Sequence, residues 1–164
     1  MRLENILEEV KVLAAEAGEF IAEQRLNFDT SKVETKHSHD YVSYVDKECE
    51  RRIVARLKEI IPEAGFITEE NTVEQKTEST EYYWIVDPLD GTTNFIHDLA
   101  PYCVSIALRN NQEILLGVVY EVTRKELYSA AKGFGTYLNG IKLQVSGISN
   151  LDEALVMIGY PYNA

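Results

Sequence analysis

Residues 82–86 read Tyr-Tyr-Trp-Ile-Val and run directly into Asp87-Pro88. No other segment constrains the fold as much. An unbroken row of aromatic and β-branched side chains suits the pleated surface of a strand. Pro88 stiffens its exit and biases Asp87 toward extended backbone. Further strand signals follow. Residues 103–108 alternate or are fully apolar, Asn110-Asn111 reads as a turn, and 114–122 is a strand. Thr123-Arg124-Lys125 is a turn, 126–131 a strand, and Gly133, Gly135 and Asn139-Gly140 punctuate a closing hairpin region. Residues 155–158 look like the start of another strand.

Ahead of this meander the period changes. Leu3, Ile6, Leu7, Val10, Leu13, Ala14, Ala17, Phe20 and Ile21 fall three or four apart, with Glu4, Glu8, Glu9, Lys11 and Glu16 opposite them. That spacing predicts one long helix fading near Asn27. Val42, Val45, Cys49, Ile53, Leu57 and Ile60 predict a second, capped by Ser43 or Asp40 and stopped at Pro62. Residues 29–40 hold no period and read as an exposed loop. His37 and His39 form a His-x-His pair there, which a solvated loop explains better than a metal site. Residues 72–81 are a polar connector. The expected architecture is α+β, a long helix pair packed on a largely antiparallel sheet.

A chain of 164 residues with 45% apolar side chains can bury a core without metals or disulfides. Cys49 and Cys103 lie far apart, outside any Cys-x-x-Cys pattern, and read as buried free thiols in a reducing compartment. Sixteen basic against 27 acidic residues leave a net charge of −11. That balance argues against a nucleic-acid or anionic-membrane surface. The charged N-terminus shows no signal-peptide core, and no apolar run is long enough for a bilayer, so a cytoplasmic protein is expected. An anionic ligand would need something to reverse the local field.

The stretch Trp84-Ile85-Val86-Asp87-Pro88-Leu89-Asp90-Gly91-Thr92-Thr93-Asn94-Phe95 supplies it. A strand ends in a carboxylate, and a second carboxylate follows three residues on. Gly91 lets backbone approach a ligand, and the Thr pair can open a helical turn with free N–H groups. Hard oxygen anions suit Mg²⁺, which keeps waters and shares phosphate oxygens. Bound cations would make an acidic cleft attractive to phosphate. Asp-x-x-Asp alone is better explained as a tight turn with an Asp cap; the whole string favours the functional reading. Glu69-Glu70 follows a short apolar segment, 64–67, and alone reads as solvated loop. Asp46, three residues after Ser43, reads on spacing as half of a capping box.

Asp87-Pro88-Leu89-Asp90-Gly91-Thr92-Thr93-Asn94-Phe95 resembles the first signature of the inositol monophosphatase family, Mg²⁺-dependent and lithium-sensitive phosphomonoesterases. The N-terminal helix, residues 40–46, the Glu69-Glu70 step and the Gly133…Asn139-Gly140 hairpin come in the family's order, so the resemblance spans essentially the whole chain. It implies the N-terminal half of a layered sugar-phosphatase fold. It also implies a site. Glu69 would ligate metal and help hold the attacking water. Asp87 would bridge two metals, Leu89 would offer its carbonyl, and Asp90 would bind the second metal near the substrate oxygen. Gly91 and Thr92 would present N–H groups to phosphate. The Thr92 hydroxyl, paired with Asp46, would orient or activate the water, and Lys36 would lie in a mobile loop over the site. Two or three Mg²⁺ ions would serve, with hydrolysis of an inositol monophosphate-like ester by a metal-activated water and no covalent intermediate. His97 reads as a packing or surface residue.

Family members continue into a second α/β domain with a Trp-Asp motif, whereas the only tryptophan here is Trp84. Residues 1–164 are therefore expected to be an N-terminal metal- and phosphate-binding domain, the C-terminal one being absent from this chain. The resemblance implies a homodimer for the full-length form. The competing expectation is a truncated, non-catalytic fragment that binds Mg²⁺ or phosphate weakly or acts only as an interaction module.

Overall fold

The computed structural model describes residues 2–28, 34–37, 40–74 and 80–158. Helix α1 spans Leu3–Leu26 and helix α2 spans Tyr44–Ile60. A two-stranded antiparallel hairpin, β1 (Glu34–His37) and β2 (Asp40–Val42), joins them. Then come β3 (Gly65–Thr68), β4 (Tyr82–Asp90), the short helix α3 (Thr92–Ile96), β5 (Cys103–Asn110), β6 (Ile114–Glu121), β7 (Glu126–Ala131), β8 (Gly135–Leu138) and β9 (Ile141–Lys142). Strands β3 to β9 form one seven-stranded sheet in sequence order. Every neighbouring pair is antiparallel except β3–β4, which is parallel. A parallel pair needs a crossover of a dozen or more residues, and residues 69–81 supply it.

Helices α1 and α2 pack on one face of the sheet. Alternation along the strands puts Phe66, Trp84, Val86, Val104, Ile106, Leu108, Leu116 and Val118 into that layer, where all are buried. Trp84 is fully enclosed; removing so large a side chain costs about 3–5 kcal/mol. Its indole N–H finds no acceptor among the described residues. At Gly18 helix α1 comes close to the sheet, since a Cβ there would lie 2.2 Å from the Tyr120 ring. The opposite face carries Ile67, Ile85, Asp87, Ser105 and Ala107, which are exposed or half-buried. Among the described residues no helix is long and apolar enough to cross a membrane.

Two expectations are corrected. Residues 34–37 and Asp40, read as loop, and Val42, read as part of the second helix, pair as β1 and β2 in the register Thr35↔Tyr41. A ladder is made by backbone groups and needs no apolar stripe, so periodicity does not reveal it. His37 lies on β1, while His39 is outside the described residues. Residues 155–158, read as strand, belong to no regular element and stay exposed. Strand propensity measures fit to a sheet, and no strand among the described residues pairs with them.

Candidate active site

The candidate residues converge where β3 and β4 end. In the parallel register Thr68 pairs with Val86, and the Glu69 N–H continues the ladder to the Val86 carbonyl at 3.3 Å. Glu69 thus turns outward beside Asp87, near enough for its carboxyl to act on that of Asp87. Asp90 needs a different device. Residues three apart on a regular strand point to opposite faces. Between Asp87↔Ser105 and Asp90↔Cys103 the register shifts, so β4 spends one more residue than β5. This β-bulge brings Asp90 onto the face of Asp87. The Asp87 Oδ1 also accepts the Leu89 N–H at 3.1 Å.

Burial, the hydrogen bond and charge from Glu69, and the charge of Asp90 push the Asp87 carboxyl up to about 8. The Cys103 thiol, 3.7 Å from Asp90 Oδ2, is pushed up to about 12 by burial and by the same aspartates. Among the described residues no three His, Cys, Asp or Glu side chains are preassembled to enclose a metal ion. The donor set nevertheless fits Mg²⁺: hard carboxylate oxygens and a carbonyl, crowded like charges that a cation would relieve, and a metal that completes its shell with water.

Gly91 follows the bulge at φ 94, and a Cβ there would lie 3.1 Å from the Pro101 carbonyl oxygen. The chain turns on it into α3, which is anchored by buried Phe95 in edge-on contact with Phe28 and Tyr102. This places the Thr92 hydroxyl 2.8 Å from Asp46 Oδ1 and 3.0 Å from the Leu89 carbonyl oxygen. Asp46 serves two purposes at once. Its Oδ2 accepts from the Ser43 N–H at 2.9 Å and the Ser43 hydroxyl at 2.5 Å, completing the capping box of α2. Its Oδ1 is left for Thr92. Burial raises the Asp46 carboxyl above the usual range, although the bonds from Ser43 and Thr92 pull the other way.

Glu69, Asp87, Leu89, Asp90, Gly91, Thr92 and Asp46 are thus brought together. The backbone of Lys36 lies in β1, where a loop was expected; its side chain is outside what is described. Sequence reasoning missed two α2 residues. Cys49, buried, donates its thiol to the Pro88 carbonyl at 3.6 Å, tying the helix to the motif. Glu50 is fully buried and binds the segment that carries Glu69. The signal was present: an acidic residue lies beside Cys49 and Ile53 on the apolar side of an amphipathic helix, where a solvated residue does not belong.

Residues 2–164 match the inositol monophosphatase family. A Nus factor SuhB from Pseudomonas aeruginosa is 39% identical over 150 residues, covering 91% of this chain and 55% of that protein. An inositol-1-monophosphatase from Mesorhizobium japonicum is 36% identical over 149 residues, covering 91% and 56%. The crystal structure of the extragenic suppressor protein suhB of Bartonella henselae superposes with a TM-score of 0.81 at 34% identity, covering 88% of this chain and 55% of that one. The chain therefore spans about half the length of the relatives it matches. With the family match running almost end to end, the chain belongs to the inositol monophosphatase family.

Proposed function

We propose that this chain carries the metal- and phosphate-binding part of a Mg²⁺-dependent phosphomonoester hydrolase acting on an inositol monophosphate-like substrate. The observation that carries the reading is the bulge that sets Asp90 beside Asp87 and Glu69, next to the Thr92–Asp46 pair. Glu69, Asp87, the Leu89 carbonyl and Asp90 would hold the ions. Bound Mg²⁺ would supply a water of lowered pKa and stabilise the leaving oxygen. Thr92 donates to Asp46 and keeps lone pairs for a water. A water held at Thr92 Oγ1 would lose a proton to that oxygen as the Thr92 proton moved to Asp46 Oδ1. A carboxyl raised by burial is suited to accept it. Gly91 and Thr92 would offer N–H groups to the phosphate, and Lys36 a positive charge. The product pair is free phosphate and an alcohol.

In this reading residues 1–164 form the first of two domains, supported by relatives nearly twice as long. The further domain would supply the remaining metal ligand and substrate contacts, and the full-length form would be a homodimer. The test is calorimetric titration with Mg²⁺ beside a phosphate-release assay on inositol 1-phosphate. Mg²⁺ binding that Asp90→Asn abolishes is expected. Binding equal in wild type and Asp90→Asn would sink the reading. Mg²⁺ binding without phosphate release would favour the non-catalytic fragment instead.

A further inference from the structure

Glu50 lies on α2 one helical turn beyond Asp46 and is completely buried. The chemistry above makes no use of it. A carboxylate taken into a protein interior costs several kcal/mol unless donors surround it. Here they do. Its Oε1 accepts from Thr68 Oγ1 at 3.0 Å, the Thr72 N–H at 2.7 Å and Thr72 Oγ1 at 2.6 Å. Its Oε2 accepts the Glu70 N–H at 2.7 Å. All these donors come from residues 68–72, and they flank Glu69 on both sides.

Glu69 is exposed, and its segment must turn sharply after β3. Asn71 takes φ 52 there, with its amide donating to the Glu69 carbonyl at 3.0 Å. A turn this short, carrying an exposed carboxylate, swings unless its flanks are tied. We propose that Glu50 is a positioning residue: it clamps residues 68, 70 and 72 so that the Glu69 carboxylate stands beside Asp87. Helix α2 then sets both sides of the site, through Asp46 to Thr92 and through Glu50 to Glu69. The inference rests on the reading of Glu69 as a metal ligand.

The test is a Mn²⁺ titration of the chain followed by electron paramagnetic resonance, with Mn²⁺ as a probe of the Mg²⁺ site. Glu50→Gln keeps the volume but points an NH₂ group at donors. Groups that orient a metal ligand typically govern 10–100-fold in affinity. Glu50→Gln should therefore weaken Mn²⁺ about 10-fold or more. In the Glu69→Gln background it should add nothing, because the clamp acts only through Glu69. A merely structural Glu50 would lower affinity by the same factor in both backgrounds, and that result overturns the proposal, as does wild-type affinity in folded Glu50→Gln. If Glu69→Gln alone leaves Mn²⁺ binding unchanged, the ligand reading fails, and the inference with it. Should Glu50→Gln not fold, Thr72→Val removes one donor and leaves the carboxylate three partners. It should weaken Mn²⁺ in the wild-type background alone, with Thr72→Ser restoring affinity; no weakening overturns the proposal.

Discussion

Replacing Gly91 with alanine tests whether the turn between the two halves of the site is set by backbone conformation alone or also by close packing. Gly91 has φ 94 and ψ 35, a left-handed conformation that costs an L-residue about 1–2 kcal/mol. The shorter menu of unfolded conformations for alanine returns about 0.4–1 kcal/mol. The added Cβ would then meet the Pro101 carbonyl oxygen at 3.1 Å and the Cα and Cβ of Tyr102 at 3.3 Å. Those atoms cannot retreat freely. The Asn94 amide donates to that Pro101 oxygen at 2.7 Å, and Tyr102 is buried. Crowding of this kind costs about 1–3 kcal/mol. Gly133 is the control, at φ 84 with nothing within 4 Å of its Cβ. Gly133→Ala should cost only the conformational part, about 1 kcal/mol, and Gly91→Ala about 2–4 kcal/mol. Urea unfolding of the three chains, with unchanged m-values, measures the difference. Equal costs would refute the packing argument and leave Gly91 explained by its dihedral angle alone.

Without divalent cations, the Asp87 carboxyl titrates at about 8 in the folded chain against an ordinary 3.8, so the folded state binds the extra proton in between. The contribution of this group to stability should be fully present below pH ~4 and be lost as pH rises toward ~8, by on the order of 2 kcal/mol after screening by water at this half-buried site. In EDTA, Asp87→Asn should flatten that fall, and a slope identical to wild type would contradict the assigned cause. Thr92→Val leaves a buried Asp46 oxygen without its hydroxyl donor and should cost about 1–3 kcal/mol in chemical unfolding. Thr92→Ser should stay near wild type; equal losses for the two would show that the methyl group, not the hydrogen bond, matters.

The layer architecture was legible because both periods were clean. The stripe from Leu3 to Ile21 is the buried face of α1, and the alternation in residues 103–108 is that of β5. The hairpin at 34–42 was not legible, since a backbone ladder leaves no mark in side-chain pattern. In the site, residues 87–92 announced themselves by composition, but their arrangement did not. Counting alone puts Asp87 and Asp90 on opposite faces, and only the register with β5 shows the bulge. Asp46 offered a choice between capping α2 and pairing with Thr92 that the structure dissolves, because a carboxylate has two oxygens and each takes one partner. The place of Glu50 on the apolar side of α2 signalled its burial, but its donors lie about twenty residues away, and no local pattern names a long-range partner.

The bulge between Asp87 and Asp90 makes the local pairing with β5, more than residue identity, the variable that governs the site. A strand is a two-state counter: each residue added or removed reverses which side of the sheet the next side chain takes. Delete one residue between Asp87 and Asp90 and the bulge goes, yet Asp90, now two residues on, stays on the face of Asp87; iron the bulge out at full length and Asp90 turns into the helix layer, where an unpaired carboxylate is costly. Side-chain exchanges at positions 88 and 89 should therefore act by degrees, through packing. Loss of the bulge at full length should act all or none, because it reverses the facing of Asp90, whereas a one-residue deletion keeps that facing and gives up only the extra residue.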